Sequence, residues 1–147
     1  MYKHLLVPLD GSKLALRALD AAAELAKATG ARITALTVEP SYPTIIAADG
    51  YMVEPISSDE WDKSMARHAE RIRHGAEKRA AAAGVEIAFV SSVHDQPWEG
   101  IIETARKKKC DTIVMASHGR RGIAALVLGS ETTKVLTHSR IPVLVCR

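Results

Sequence analysis

The chain is expected to fold as an α/β protein: a doubly wound, five-stranded parallel sheet with helices on both faces. Three observations support this. Five short apolar runs alternate with helical stretches over 147 residues. Several of those runs are apolar on both faces, as parallel strands covered by helices on each side tend to be. The regular β–α spacing also suits parallel crossovers better than hairpins. At 47% hydrophobic, residues 1–147 can bury one good core and are expected to form a single domain.

The first strand is residues 5–9. Helix one follows from Ser12 to Thr29, with Leu14, Ala15, Ala18, Leu19, Ala22, Leu25 and Ala26 on one broad face, Ser12 as N-cap and Gly30 as stop. Residues 32–38 read as strand two. The connection 39–56, with Pro40, Tyr42, Pro43, Gly50, Tyr51 and Pro55, is long for a small domain and reads as a mobile loop or a ligand cover. Helix two opens on the capping box Ser57-Ser58-Asp59-Glu60. Its stripe Trp61, Met65, Ala69, Ile72, Ala76, Ala80, Ala83 repeats every three or four residues, reads as core packing, and ends at Gly84. Strand three is 85–90, and helix three runs from Pro97 to Lys108, burying Trp98, Ile101, Ile102 and Ala105. Strand four is 112–115, helix four runs from Gly129-Ser130 to near His138, and the last strand is 142–146.

Composition narrows the function. A net charge of +3 accommodates anionic ligands without implying nucleic acid, and an aromatic content of 4% argues against a base-stacking platform. Cys110 and Cys146 make no disulfide framework. No run approaches the ~20 apolar residues of a membrane span, and the short apolar run after Met1 is too brief for a signal peptide, so the expected location is cytoplasmic, with no membrane partner. The chain has neither a Gly-Lys-Ser/Thr phosphate loop nor a Gly-x-Gly-x-x-Gly fingerprint, which disfavours a motor-type ATPase and a standard dehydrogenase.

Open parallel sheets bind ligands beyond the carboxyl ends of their strands, where the strand order reverses. Two strand ends here are unusual: Pro8-Leu9-Asp10-Gly11-Ser12 and Ala116-Ser117-His118-Gly119. The order 3-2-1-4-5 is the one that makes them neighbours. Small residues off a strand end let a ligand approach the backbone, and Gly129-Ser130 opens a helix whose free N–H groups favour an anion. Together they read as a phosphate grip, hence a nucleotide-binding domain. The remaining polar features have plainer readings. Arg120 and Arg121 read as solvated, and the backbone of His118 matters more than its ring. His94-Asp95 mark a loop and helix cap. His68 and His74 lack the i, i+4 spacing of a metal pair, and no acidic or His/Cys cluster suggests a metal. The run from Arg106 to Lys109 suits a helix C-terminus, and Cys110 after it reads as a strand-entry residue rather than an activated thiol.

These residues resemble the universal stress protein family. Its nucleotide-binding members carry Gly-x-x-Gly, nine residues, then Gly-Ser or Gly-Thr. Ala116-Ser117-His118-Gly119, residues 120–128 and Gly129-Ser130 match that pattern except at the first glycine. Pro8-Leu9-Asp10-Gly11-Ser12 and Ile141-Pro142-Val143-Leu144-Val145 are also similar, so the resemblance spans essentially the whole chain. It implies a flavodoxin-like sheet, a homodimer, a regulatory role under stress, and ATP or a related adenine nucleotide, with Mg2+ as a natural companion. Carried over by residue, Asp10 lies near the ribose and phosphates, Pro8 beside it joins the nucleotide-binding set, and the Val38 backbone meets the adenine edge. The phosphates fall to Ala116, His118, Gly119, Gly129 and Ser130, flanked by Met115, Glu131 and Thr132. Ala116 is the departure. If its position needs positive φ, alanine costs roughly 1–2 kcal/mol; if only smallness matters, the cost is slight.

The apolar last strand is an open edge in a monomer, and antiparallel pairing across a twofold axis would cover it, so the dimer is expected through residues 143–146. With no base aimed at a γ-phosphate, hydrolysis is expected to be slow at most. Two other readings stand beside this one: a stress-response interaction protein that has lost nucleotide binding, and an adenylyl-transferring enzyme. The second would carry a Ser-Gly-Gly-x-Asp-Ser or His-x-Gly-His signature after strand one, where this chain has Leu9-Asp10-Gly11-Ser12.

Overall fold

Leu5 and Val7 bury toward one face of the first strand and Leu6 toward the other, and that alternation creates two cores on either side of a single sheet. A computed structural model describes residues 2–43, 45–46, 52–53, 56–118 and 128–147. The elements in chain order are β1 (His4–Pro8), α1 (Lys13–Thr29), β2 (Arg32–Glu39), β3 (Ile45–Ile46), β4 (Met52–Val53), α2 (Ser58–Ala82), β5 (Ile87–Val93), α3 (Pro97–Lys107), β6 (Thr112–Ala116), α4 (Ser130–His138) and β7 (Val143–Cys146). The main sheet runs β5-β2-β1-β6-β7 with every pair parallel, which is the expected 3-2-1-4-5 order counted over its five strands.

One core packs Leu5, Val7, Ile33 and Ala35 against Ala15, Leu19, Ala22 and Ala26 of α1 and Ile72 and Ala76 of α2. The other packs Leu6, Leu36, Ile113 and Met115 against Ile101 and Ala105 of α3 and Val135 of α4. Alanines on α1 let its axis approach the sheet closely, and burying each larger side chain contributes roughly 1.5–3 kcal/mol. Both expected caps form: the Ser12 hydroxyl accepts from Ala15 N at 3.1 Å, and Ser57 and Glu60 close a reciprocal capping box.

Four local expectations are corrected. The third sheet strand begins at Ile87 rather than at residue 85, because Val85 N–H closes the end of α2 by donating to Ala80 O at 3.0 Å. The connection 39–56 contains a short antiparallel ladder, Ile45 opposite Val53 and Ile46 opposite Met52. The α2 stripe is fully buried only at Ile72, Ala76 and Ala80, and Trp61, Met65 and Ala69 are half-buried. A 25-residue helix is roughly 37 Å long and its neighbouring strands about 25 Å, so its first half overshoots the sheet. Trp98 is likewise half-buried, its ring 4.5 Å from that of His138. Cys110 is buried and burial pushes its thiol up to about 11, so the neighbouring lysines do not activate it. Among the described residues, no helix is long and apolar enough to cross a membrane.

Candidate functional site

The strand order reverses between β1 and β6, and a cleft of about 690 Å³ opens beyond their carboxyl ends. Pro8, Asp10, Val38, Met115, Ala116, His118, Gly129, Ser130, Glu131 and Thr132 all line it. Gly119, Arg120 and Arg121 lie outside the described residues. The ends of β2, β1 and β6 follow one another across the sheet, so the cleft spans two strand spacings, roughly 10 Å, before reaching α4.

Each wall is placed by local chemistry. After β1, Leu9 N–H donates to Leu36 O at 2.7 Å, and the chain then turns at Gly11, whose φ of +83° a side chain would strain. The Asp10 carboxylate accepts from Ser12 N at 2.9 Å, an Asx turn that holds the acid at the cleft mouth. Val38 is fixed from below by α3. A Cβ on Gly100 would come within 3.0 Å of its side chain, so glycine is what lets the helix approach.

Opposite, the first turn of α4 is bolted to the end of β6. Gly129 N–H donates to Ser117 O at 2.7 Å, and the buried Thr132 hydroxyl donates to Ala116 O at 2.9 Å. No side chain caps α4, so the N–H groups that open it face the cleft region without the usual Ser, Thr or Asp oxygen. The Glu131 carboxylate turns away, accepting from Trp98 N at 2.9 Å and Lys134 Nζ at 3.3 Å, and leaves its backbone to the cleft. His118 Nδ1 lies 2.8 Å from the Ser117 hydroxyl, whereas its Nε2 is buried with no hydrogen-bond partner among the described residues. An orphaned ring nitrogen, an uncapped helix start and two small residues fit an anionic group.

Ala116 resolves the open question about the first glycine. It is the last residue of β6, paired with Cys146, and positive φ among described non-glycine residues occurs only at Tyr2 and Lys109. Alanine therefore sits in extended backbone without strain.

Two cleft residues escaped the sequence reading. Glu39 belongs to β2 rather than to the connection after it, and its carboxylate is buried. His68 Nδ1 lies 3.0 and 3.2 Å from its two oxygens, and both residues line the cleft. The available signal was phase: His68 falls three residues after Met65 and four before Ile72, on the apolar stripe itself. His94 and Asp95 serve a loop, as expected, but neither caps α3. Gln96 N donates to His94 Nδ1 at 3.1 Å, Asp95 accepts from Ser41, and the α3 N-cap is Gln96. Among the described residues no group of three or more His, Cys, Asp or Glu converges on a metal position.

Comparison with known proteins agrees with this architecture. Residues 1–147 match the family model of the universal stress protein family. The universal stress protein YxiE of Bacillus subtilis is 32% identical over 149 residues, covering 100% of both chains. Universal stress protein UspA from Lactobacillus plantarum superposes with a TM-score of 0.82 at 26% identity, over 99% of this chain and 98% of the other. A universal stress protein solved in complex with cAMP superposes with a TM-score of 0.72 at 26% identity, over 99% and 97%. The chain belongs to the universal stress protein family.

Proposed function

We propose that this member of the universal stress protein family binds ATP, or a related adenine nucleotide, in the cleft beyond β1 and β6 and acts as a regulatory module in the stress response. The observation that carries the reading is the phosphate end. The uncapped start of α4, pinned to β6 through Gly129 and Thr132, sits beside the orphaned Nε2 of His118. The cAMP complex of a relative supports an adenine nucleotide as the class of ligand. In this reading the Val38 backbone meets the adenine edge, Pro8 and Asp10 border the ribose, and Met115, Ala116, His118, Gly119, Gly129, Ser130, Glu131 and Thr132 surround the phosphates. Magnesium would arrive with the triphosphate, held by phosphate oxygens and water. Hydrolysis is slow at most in this reading, because the Glu131 carboxylate is held away from the phosphate end by Trp98 N and Lys134 Nζ.

The protein acts as a cytoplasmic homodimer in this reading. Among the described residues β7 pairs with β6 on one side only, and Leu144 and Leu136 are exposed large apolar residues on β7 and the neighbouring α4. A second copy pairing antiparallel would cover the open edge. Light scattering at micromolar concentration should return twice the chain mass; a monomer would contradict the dimer.

Calorimetric titration with ATP, with and without Mg2+, tests the ligand. Saturable binding is expected, with a stability gain of ~2.7 kcal/mol at a hundredfold excess over Kd. Absence of heat and of any thermal shift up to millimolar ATP would transfer the function to a partner-binding role without nucleotide.

A further inference from the structure

Glu39 is a carboxylate where a buried strand end ordinarily has none. The residue is 5% exposed, and a buried acid costs several kcal/mol unless it is paired. Its partner is His68, whose Nδ1 sits within hydrogen-bond distance of both carboxylate oxygens. As a device for stability the pair is poor, because apolar residues of similar volume usually serve a core at least as well. Its value lies in what it does to the ring. In a neutral ring, a carboxylate that accepts from Nδ1–H fixes both the tautomer and the orientation of the imidazole, and it leaves Nε2 as the acceptor. Among the described residues Nε2 has no hydrogen-bond partner, and it is not among the buried orphaned atoms.

The position of that acceptor is set by the overshoot of α2. His68 lines the main cleft together with Glu39 and Asp10, and it also borders a smaller cavity of about 260 Å³ against Asp10, Gly11 and Ser12. It therefore stands between the end of β2, where it meets Glu39, and the turn after β1. In the proposed pose that is the sugar, with the base toward Val38 and the phosphates toward Gly129.

We infer that His68, oriented by Glu39, accepts a hydrogen bond from a ribose hydroxyl of the bound nucleotide and makes the cleft selective for ribonucleotides. The inference rests on the adenine-nucleotide reading of the site. Glu39 is a positioning residue, and His68 is the specificity-determining one.

The test compares dissociation constants for ATP, 2′-deoxy-ATP and 3′-deoxy-ATP in the wild-type chain and in variants. The wild type should bind ATP about tenfold more tightly than at least one deoxy analogue, the discrimination expected from one well-placed hydrogen bond. His68→Leu should bind ATP as weakly as that analogue and no longer distinguish the two. His68→Gln, which keeps an acceptor, should restore part of the preference, and Glu39→Gln should reduce it. If His68→Leu fails to fold because it strands the Glu39 carboxylate, Glu39→Leu/His68→Leu removes both polar groups and carries the same expectation. Equal wild-type affinity for ATP and both analogues, or a preference that survives loss of the imidazole, would overturn this role and leave the nucleotide site standing. No ATP binding at all would overturn the site and this role together.

Discussion

The two ends of the sheet treat their polar groups in opposite ways. At the amino ends of the strands, most polar groups are spent on one another, and the exception, His4 Nδ1, is buried without a partner and lines neither cavity. The Asp111 carboxylate accepts from Lys3 N at 2.8 Å and His4 N at 3.3 Å, Asp111 N–H donates to His4 O at 2.9 Å, and His4 Nε2 meets the Thr34 hydroxyl at 2.8 Å. At the carboxyl ends, α4 starts without a side-chain cap, and ring nitrogens of His118 and His68 lack hydrogen-bond partners among the described residues. Both ends are built on the same five strands, so strand chemistry does not make the difference. It lies in where the spare capacity faces: the orphaned nitrogen of His4 is sealed inside the fold, whereas His118 and His68 line the cleft, where a ligand can reach them.

The sharpest way to break that contrast is at Gly129. Its φ of −60° and ψ of 152° suit any residue, so Gly129→Val should fold with only a small loss of stability, valine being a poor N-cap, while a branched side chain crowds the phosphate end. ATP affinity is expected to fall by at least about a hundredfold, equivalent to ~2.7 kcal/mol. An unchanged Kd by calorimetry would remove the phosphate end from the site.

The mirror experiment is Asp111→Ala. Loss of the carboxylate that binds Lys3 N and His4 N should cost about 1–2 kcal/mol of stability by urea denaturation and leave ATP affinity unchanged. Burial works to raise the Asp111 pKa, but those N–H donors outweigh it and hold the group below its ordinary value.

His4 gives the amino end a pH signature. Burial first, then the Arg32 charge, lowers its pKa below the usual 6.5, against the pull of Asp111 and the carbonyls of Lys108 and Lys109. The unfolded chain then binds the proton more readily than the folded one. Stability should fall as pH drops below about 6.5, until the folded-state pKa is reached, and be flat above that window. Melting temperatures measured between pH 7.5 and 5.5 should show the slope, and His4→Asn should diminish it.

The smallest effect is expected at Ala116→Gly. Extended backbone gives glycine no advantage there, so ATP affinity should change by less than about twofold. Stability should drop by roughly 0.5–1 kcal/mol through added chain entropy. A large gain in affinity would show that alanine does impede the ligand.

What could be read from the residues was what is encoded locally. The Ser57–Glu60 capping box, the Ser12 cap and the apolar runs of the strands act within a few residues, and they placed the helices and the sheet. The cleft was legible because Asp10-Gly11-Ser12 and Gly129-Ser130 are short-range turn and helix-start signals, and the order of the sheet brings them together. Tertiary pairing was not legible. Glu39 and His68 are 29 residues apart, and nothing local marks Glu39 as the end of a strand or His68 as its partner. The start of β5 was missed for a related reason, since Val85 reads as strand by type and yet serves the end of α2. The ring of His118 was discounted in favour of its backbone because orphaning depends on what surrounds Nε2, which no spacing rule reports.

The most direct test follows backbone amide resonances of the 15N-labelled protein during titration with ATP. Saturable shifts are expected at Asp10, Val38, Ala116, His118, Gly129 and Ser130, with Lys3, His4, Asp111 and Thr112 at the opposite end of the sheet unmoved. Shifts centred on that opposite end, or none at saturating ATP, would contradict this site.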